Sequence, residues 1–267
     1  MRKIPNINTH IFKQPDLPWS LISDEAQAML DNYELLGVAL TGIERSSMIA
    51  YVDAEVASSN HTAKDYETIY SLAGVNALVD YIGGKTATAI NAPTHDINGY
   101  TLDGSTQYID TEYNPTDDGT NFILDDAFIG VFVKSVVDGS LSQYVIGSAG
   151  GTTNSVIRHT NSVGIQSSIN TNANTNSLSE DMANNTHYLA SRVLSTVAKL
   201  FKTGVEADSR TTNSSVILAA DSWVGRLSGV YFDGVISAVS LGGSIGFNKS
   251  EHNTNLRALL TGLGVSL

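Results

Sequence analysis

The hydrophobic residues between positions 66 and 241 come in short runs separated by Gly, Asn and Asp residues. Short β-rich runs between such turn residues predict strands, and many of them in series predict an antiparallel β-sandwich. The predicted strands span residues 68–73, 99–102, 107–110, 127–133, 143–147, 155–159, 164–169, 186–193, 197–201, 215–220 and 230–241.

The last and longest predicted strand is apolar on both of its faces. Val235, Val239 and Leu241 share one parity, whereas Ile236 and Ala238 share the other. A strand with two apolar faces is covered on both sides, so we expect it inside the protein and not at a sheet edge.

At both ends of the chain the hydrophobic period changes to that of a helix. Asn248 and Glu251 form a predicted capping box before a Leu-rich C-terminal helix. Ser23 caps a first N-terminal helix, and Thr41 with Glu44 caps a second. We therefore take residues 23–65 as a small N-terminal helical unit and residues 66–267 as the sandwich with its helix. The apolar helix positions are Ala26, Met29, Leu30, Tyr33, Met48, Ile49, Val52, Val56, Leu256, Leu259, Leu260 and Leu263.

Residues 1–22 form a predicted extended arm, because three prolines interrupt it. Burying a large apolar side chain gains about 1.5–3 kcal/mol, while ordering each backbone residue costs about 1–2 kcal/mol. Such an arm stays fixed only against a partner, so we expect it to anchor the protein to its neighbours in a homo-oligomer or a larger assembly. The predicted assembly contacts are Ile4, Ile7, Ile11, Phe12, Leu17 and Trp19.

Several of these segments together resemble one family. They are residues 99–115, the hairpin that ends at Gly204, the strand that begins Asp-Gly-Val-Ile at Asp233, and the capped Leu-rich helix. From about position 66 onward the chain is similar to concanavalin A-like (laminin-G-like) jelly rolls, in particular those of tailed-phage virion proteins. The resemblance implies a mainly β fold, an antiparallel sandwich with a small N-terminal helical unit and a short C-terminal helix. Its motifs are structural and specify no chemistry.

Charge and composition narrow the class of partner. The net charge of −12 argues against nucleic acid, whose phosphates require a basic face. There is no Cys for disulfides or thiolate metal sites, and no apolar run is long enough to span a membrane. We expect no secretory signal in the first 19 residues, which hold charges and prolines and lack an apolar core. These features favour a virion component that is assembled in the host cytoplasm.

The sequence offers no catalytic constellation of the kind that glycosidases on this fold carry. Those enzymes need carboxylates on one face of a strand, and the nearest pieces are Asp53 with Glu55 and Asp110 with Glu112. Because neither places three acids on a strand face, we expect no enzymatic activity.

Two weaker sites remain. An acidic loop at Asp117, Asp118, Asn121 and Asp125 has the hard oxygens that calcium prefers. It lacks the EF-hand spacing, so a solvated turn is the favoured interpretation. No cofactor is expected apart from calcium at this loop.

Trp223 and Tyr231 flank the turn before the last long strand, and Asp233 follows them. Aromatic rings stacked on a sugar ring at this place would indicate a lectin, with these three residues as its carbohydrate site. The alternative is that these aromatic residues pack in the core.

Three functions follow from these observations. The first is a phage virion structural protein, either a capsid decoration or a tail or fibre component, that contacts other virion proteins. The second is a glycan-binding module that recognises a host surface polysaccharide. The third, with the least support, is a glycoside hydrolase.

Overall fold

The computed structural model describes residues 22–58, 66–150, 153–171, 176–217 and 219–267. Over these residues the protein is mainly β, with two large antiparallel sheets, helices near the N-terminus and a helix near the C-terminus, which confirms the predicted class. The helices are α1 (Asp24–Leu35), α2 (Gly42–Ala57) and α3 (Lys249–Gly262). The strands are β1 (Tyr66–Ser71), β2 (Thr88–Ile90), β3 (Thr94–Asp96), β4 (Gly99–Asp103), β5 (Tyr108–Asp110), β6 (Ala127–Val136), β7 (Gln143–Gly150), β8 (Thr153–Thr160), β9 (Gly164–Thr171), β10 (Asn176–Leu178), β11 (Thr186–Leu194), β12 (Val197–Lys202), β13 (Val205–Thr211), β14 (Trp223–Val224), β15 (Arg226–Leu227), β16 (Val230–Tyr231) and β17 (Asp233–Gly242).

The strands form two large sheets and one small hairpin. The eight-stranded sheet has the order β13-β12-β11-β6-β17-β4-β3, and β1 pairs with the part of β17 that lies beyond β4. The seven-stranded sheet has the order β10-β9-β8-β7-β14-β5-β2, and β15 pairs with β16. The central pair, β6 and β17, is thus formed by strands that are far apart in the chain.

The eight-stranded sheet is covered on both faces. On β6, Ile129 and Val131 face the other sheet, whereas Phe128 and Phe132 face the helices. The same division on β17 places Val239 in the inter-sheet core and Ala238 under the helices, which confirms the prediction for this strand. One continuous apolar cluster therefore joins the N-terminal helices, the C-terminal helix and the sheet.

The capping box of α2 also fastens this helix to the sandwich. Glu44 accepts hydrogen bonds from Thr41 N–H at 3.0 Å, Val75 N–H at 2.8 Å and Asn76 N–H at 2.9 Å. Burial acts to raise the pKa of Glu44, but the hydrogen bonds from Thr41, Asn76 and Val75 outweigh it and the pKa is lowered. A residue predicted only as a cap thus connects the helix to a loop of the sheet.

The capping box predicted for α3 is only half formed. The Asn248 side chain accepts the Glu251 N–H at 3.2 Å, whereas the buried Glu251 Oε2 has no hydrogen-bond partner among the described residues. The buried face of α3 includes Leu256, Leu259 and Leu260, as the spacing predicts.

A buried polar cluster lies between α2, α3 and the eight-stranded sheet. His252 contacts Glu55 Oε1 through Nδ1 at 3.2 Å and Ser240 Oγ through Nε2 at 3.3 Å. The ring of His187 lies 5.1 Å from that of His252. A Cβ at Gly130 would lie only 2.8 Å from Ser240 Oγ, so the glycine in the middle of apolar β6 makes room for this cluster.

Two predictions from the local sequence pattern, one of a strand and one of an exposed loop, are wrong. Residues 215–217 and 219–220 are not a strand: Ser215 N–H bonds to the carbonyl of Asn170, and Val216 is half exposed. The Asn-rich segment 170–185 is not simply an exposed loop. Asn170 lies near the end of β9 and Asn176 is the first residue of β10, and both side chains are buried. In each case the hydrogen-bond partners, which the local pattern cannot reveal, decide the structure.

The packing of α3 predicts that Leu259→Asp is strongly destabilising, because Leu259 is only 2% exposed. Burying an unpaired carboxylate there should cost at least about 3 kcal/mol of unfolding free energy. Ala258→Asp is the matched control, since Ala258 is exposed on the same helix. Urea denaturation should separate the two variants, and equal stabilities would show that α3 is not packed as described.

The buried polar cluster predicts that stability falls with acidification. Burial lowers the pKa of His187 well below its ordinary 6.5, and nearby His252 and Arg257 lower it further. Well above pH 6.5 the ring is neutral in both the folded and the unfolded state. Below pH 6.5, His187 becomes protonated in the unfolded chain but stays neutral in the folded chain. The unfolding free energy should therefore drop by up to about 1.4 kcal/mol per pH unit.

Denaturation between pH 7 and pH 5 checks this prediction. His187→Gln should show a shallower pH dependence than the wild type. His95→Gln is the control, because His95 lies on the edge strand β3. An identical slope in the wild type and His187→Gln would contradict the prediction.

Candidate functional site

The site with the most developed geometry begins on β5 and β14, adjacent strands of the seven-stranded sheet. On β5, Ile109 points into the core, so its neighbours Tyr108 and Asp110 point to the outer face. Trp223 pairs with Asp110 across the strands, and its Nε1–H donates to Asp110 Oδ2 at 3.0 Å. The next residue, Val224, is buried in the core.

A tight hairpin follows β14 and carries two further side chains to the same place. Arg226 and Tyr231 are paired across the hairpin. Its turn has positive φ at both Ser228 (51°) and Gly229 (78°), which matches the twist of a two-residue hairpin. Gly225 also has positive φ, and a Cβ there would collide with Leu102, so only glycine allows this close approach to the sandwich.

These elements bring together Tyr108, Trp223, Arg226 and Tyr231, which we call the aromatic cluster. The Arg226 Cζ atom lies 4.6 Å from the ring centroid of Tyr108, 5.0 Å from that of Trp223 and 5.6 Å from that of Tyr231. The rings of Tyr108 and Trp223 are 5.9 Å apart and meet edge to face. All four side chains are partly exposed, so the cluster belongs to the surface and not to the core.

Arg226 differs from Arg158 and Arg210 in having no polar partner among the described residues. Within the described part of the chain its guanidinium makes no hydrogen bond and no ion pair, and its Nε atom is buried without a partner. By contrast, Arg158 donates to Gln166 and Tyr144, and Arg210 pairs with Asp208. The aromatic rings therefore position the charge of Arg226 without neutralising it.

The structure brings together part of the predicted carbohydrate site. Trp223 and Tyr231 both contact Arg226, whereas Asp233 lies on β17 opposite Asp103. The Asp233 carboxylate has no hydrogen bond to the described residues, and its role in binding stays a prediction. Tyr108, Arg226 and Asp110 were not predicted. The alternation Tyr108-Ile109-Asp110 was the available signal for two side chains on one face.

The acidic loop uses part of its charge inside the protein. Asp118 Oδ2 lies 2.6 Å from Lys85 Nζ and accepts the Asn114 N–H, and Asp125 accepts the Ser214 hydroxyl. Burial acts to raise the pKa of Asp118, but the hydrogen bond from Lys85 outweighs it and the pKa is lowered.

The described residues around this loop form no further ligand set. The predicted calcium ligands also included Asp117 and Asn121. Among the described residues no three His, Asp or Glu side chains are placed to hold a metal ion, and calcium stays a prediction.

Several acidic side chains lie near one another beside the aromatic cluster. Asp221 has a raised pKa because of burial and the nearby carboxylates of Asp110, Glu112 and Asp118. Glu112 accepts the Thr88 hydroxyl at 3.0 Å. The side of Asp110 that faces Glu112 and Asp221 is therefore negatively charged, whereas Arg226 carries a positive charge.

Two other predictions need a brief account. The six assembly contacts of the arm lie in residues 1–21, outside the described residues. None of the helices in the described ranges is both long and apolar enough to cross a membrane.

No protein-family model matches the sequence, and no curated protein matches it either. The fold is similar to that of the receptor binding domain of botulinum neurotoxin C/D mosaic serotype, with a TM-score of 0.53 and 14% identity over 73% of this chain and 51% of that chain. It is also similar to a Trypanosoma rangeli sialidase, with a TM-score of 0.53 and 10% identity over 86% of this chain and 39% of that chain. The chain thus spans about half the length of that botulinum neurotoxin chain and about two fifths of the sialidase chain. At these identities the likeness shows a shared β-sandwich fold.

Proposed function

We propose that the protein is a carbohydrate-binding module and that its binding surface is the aromatic cluster. The observation that carries the proposal is the convergence of Tyr108, Trp223 and Tyr231 on the surface around one arginine. Sugar rings expose apolar C–H faces beside hydroxyl groups. Partly exposed aromatic rings next to fixed polar groups suit both features.

The rigidity of the cluster supports the proposal. Trp223 is held by its hydrogen bond to Asp110, and Arg226 lies over the ring centroids of all three aromatic residues. Side chains that are already ordered lose little conformational entropy when a ligand binds. The surface is therefore organised before any ligand arrives.

The two similar structures are compatible with this proposal. One is named as a receptor binding domain, and the other is a sialidase solved with a sugar analogue. A shared sandwich does not transfer activity, so these names only make a carbohydrate ligand a reasonable first candidate.

The decisive variant is Trp223→Ala. Losing the largest ring of the cluster should weaken binding at least tenfold, about 1.4 kcal/mol, for glycans first identified on a broad array and then measured by calorimetry. His95→Ala is the control, since His95 stacks on Tyr100 at the edge of the other sheet. Undiminished binding by Trp223→Ala would place the site elsewhere, and a wild type that binds no glycan would overturn the proposal.

We also propose, from the sequence resemblance, that the module is carried on a tailed-phage virion. The arm would then contact other virion proteins or further copies of the chain. In this setting the protein binds polysaccharide without cleaving it. Mass spectrometry of purified virions should detect the protein, and its absence would contradict the virion role. Release of reducing sugar from a bound glycan would instead favour the hydrolase alternative.

A further inference from the structure

We propose that Arg226 makes the aromatic cluster selective for sugars that carry a single carboxylate. This inference rests on the proposed function and specifies its ligand class. It starts from the Arg226 guanidinium, which has no hydrogen-bond or ion-pair partner among the described residues. A protein with 27 acidic and 15 basic residues has many carboxylates that could neutralise it. Lys85, Lys199 and Lys202 all have such partners.

The placement of Arg226 keeps its charge available. Three aromatic rings lie beside the guanidinium, and they attract the cation without using its N–H donors. A carboxylate accepts two parallel N–H bonds from such a fork, which makes it a better ligand than a neutral hydroxyl.

Partial burial strengthens this attraction. The Nε atom has no contact with solvent and no partner among the described residues. A charge that is withdrawn from water is screened less than one on a fully exposed side chain. A ligand carboxylate beside Arg226 would thus be bound more strongly than at an ordinary surface arginine.

The surroundings limit the ligand to one charge at this position. Asp110 is bound to Trp223 within the cluster, and Asp110 and Glu112 both lie close enough to Asp221 to act on its carboxylate. Further carboxylates or sulfates on a polyanion would meet these acids and be repelled. We therefore expect sugars with one carboxylate to bind better than a densely charged polymer such as heparin.

Calorimetry with matched probes tests the inference. The probes are sialyllactose and glucuronosylxylose, each with one carboxylate, and the same two sugars after reduction of the carboxylate to an alcohol. At least one acidic form should bind the wild type ten times or more tightly than its reduced form, and heparin should bind more weakly than that acidic sugar.

Variants then assign the preference to Arg226. In Arg226→Gln the ratio of the two affinities should fall to about one, and Arg226→Lys should retain part of it because the charge remains. Arg210→Gln removes the same charge from the edge strand β13 and should keep the full ratio. Thermal melts confirm that each variant is folded.

The outcomes separate the inference from the proposed function. If the array shows glycan binding but the wild type binds acidic and reduced forms equally, the inference is wrong and the carbohydrate-binding function stands. If Arg226→Gln keeps the tenfold preference, another residue is responsible and the inference is also wrong. If no glycan binds at all, both are overturned.

Discussion

Strands β6 and β17 lie side by side in the eight-stranded sheet, and apolar layers cover them on both faces. A sheet buried on two sides needs partners for every polar group that it carries. On the helical side, His252 provides such partners for both Ser240 and Glu55. The glycine at position 130 leaves the space for them. Helices and sheet consequently depend on one another, and α2 is further bound to the sandwich through Glu44.

The aromatic cluster derives its geometry from the same core. Its members alternate with buried residues: Ile109 follows Tyr108, Val224 follows Trp223 and Leu227 follows Arg226. Burial of these apolar neighbours fixes the direction in which each cluster side chain points. The cluster presents its three aromatic rings at the surface of the sandwich, with the Arg226 cation beside them. Such an arrangement suits recognition of a ligand by apolar and polar contacts together.

Positive and negative charges lie on different sides of this surface, and this arrangement bears on the proposed preference for acidic sugars. The guanidinium of Arg226 lies among aromatic rings, while Asp110, Glu112 and Asp221 form an acidic side. An overall net charge of −12 repels anions at long range. Selectivity for an acidic sugar would therefore arise at short range, from one oriented cation. Long-range attraction would contribute nothing to it.

Local patterns determined the helices, most strands and the two-faced burial of β17, because periodicity reports which faces are apolar. They also predicted two members of the aromatic cluster, Trp223 and Tyr231, which lie close together in the chain. Only the tertiary structure brought Asp110 to Trp223, 113 residues away, and placed Tyr108 and Arg226 beside them. The polar contact between Glu55 and His252, 197 residues apart, is of the same kind. Contacts between distant segments depend on strand order and register, which no local spacing encodes.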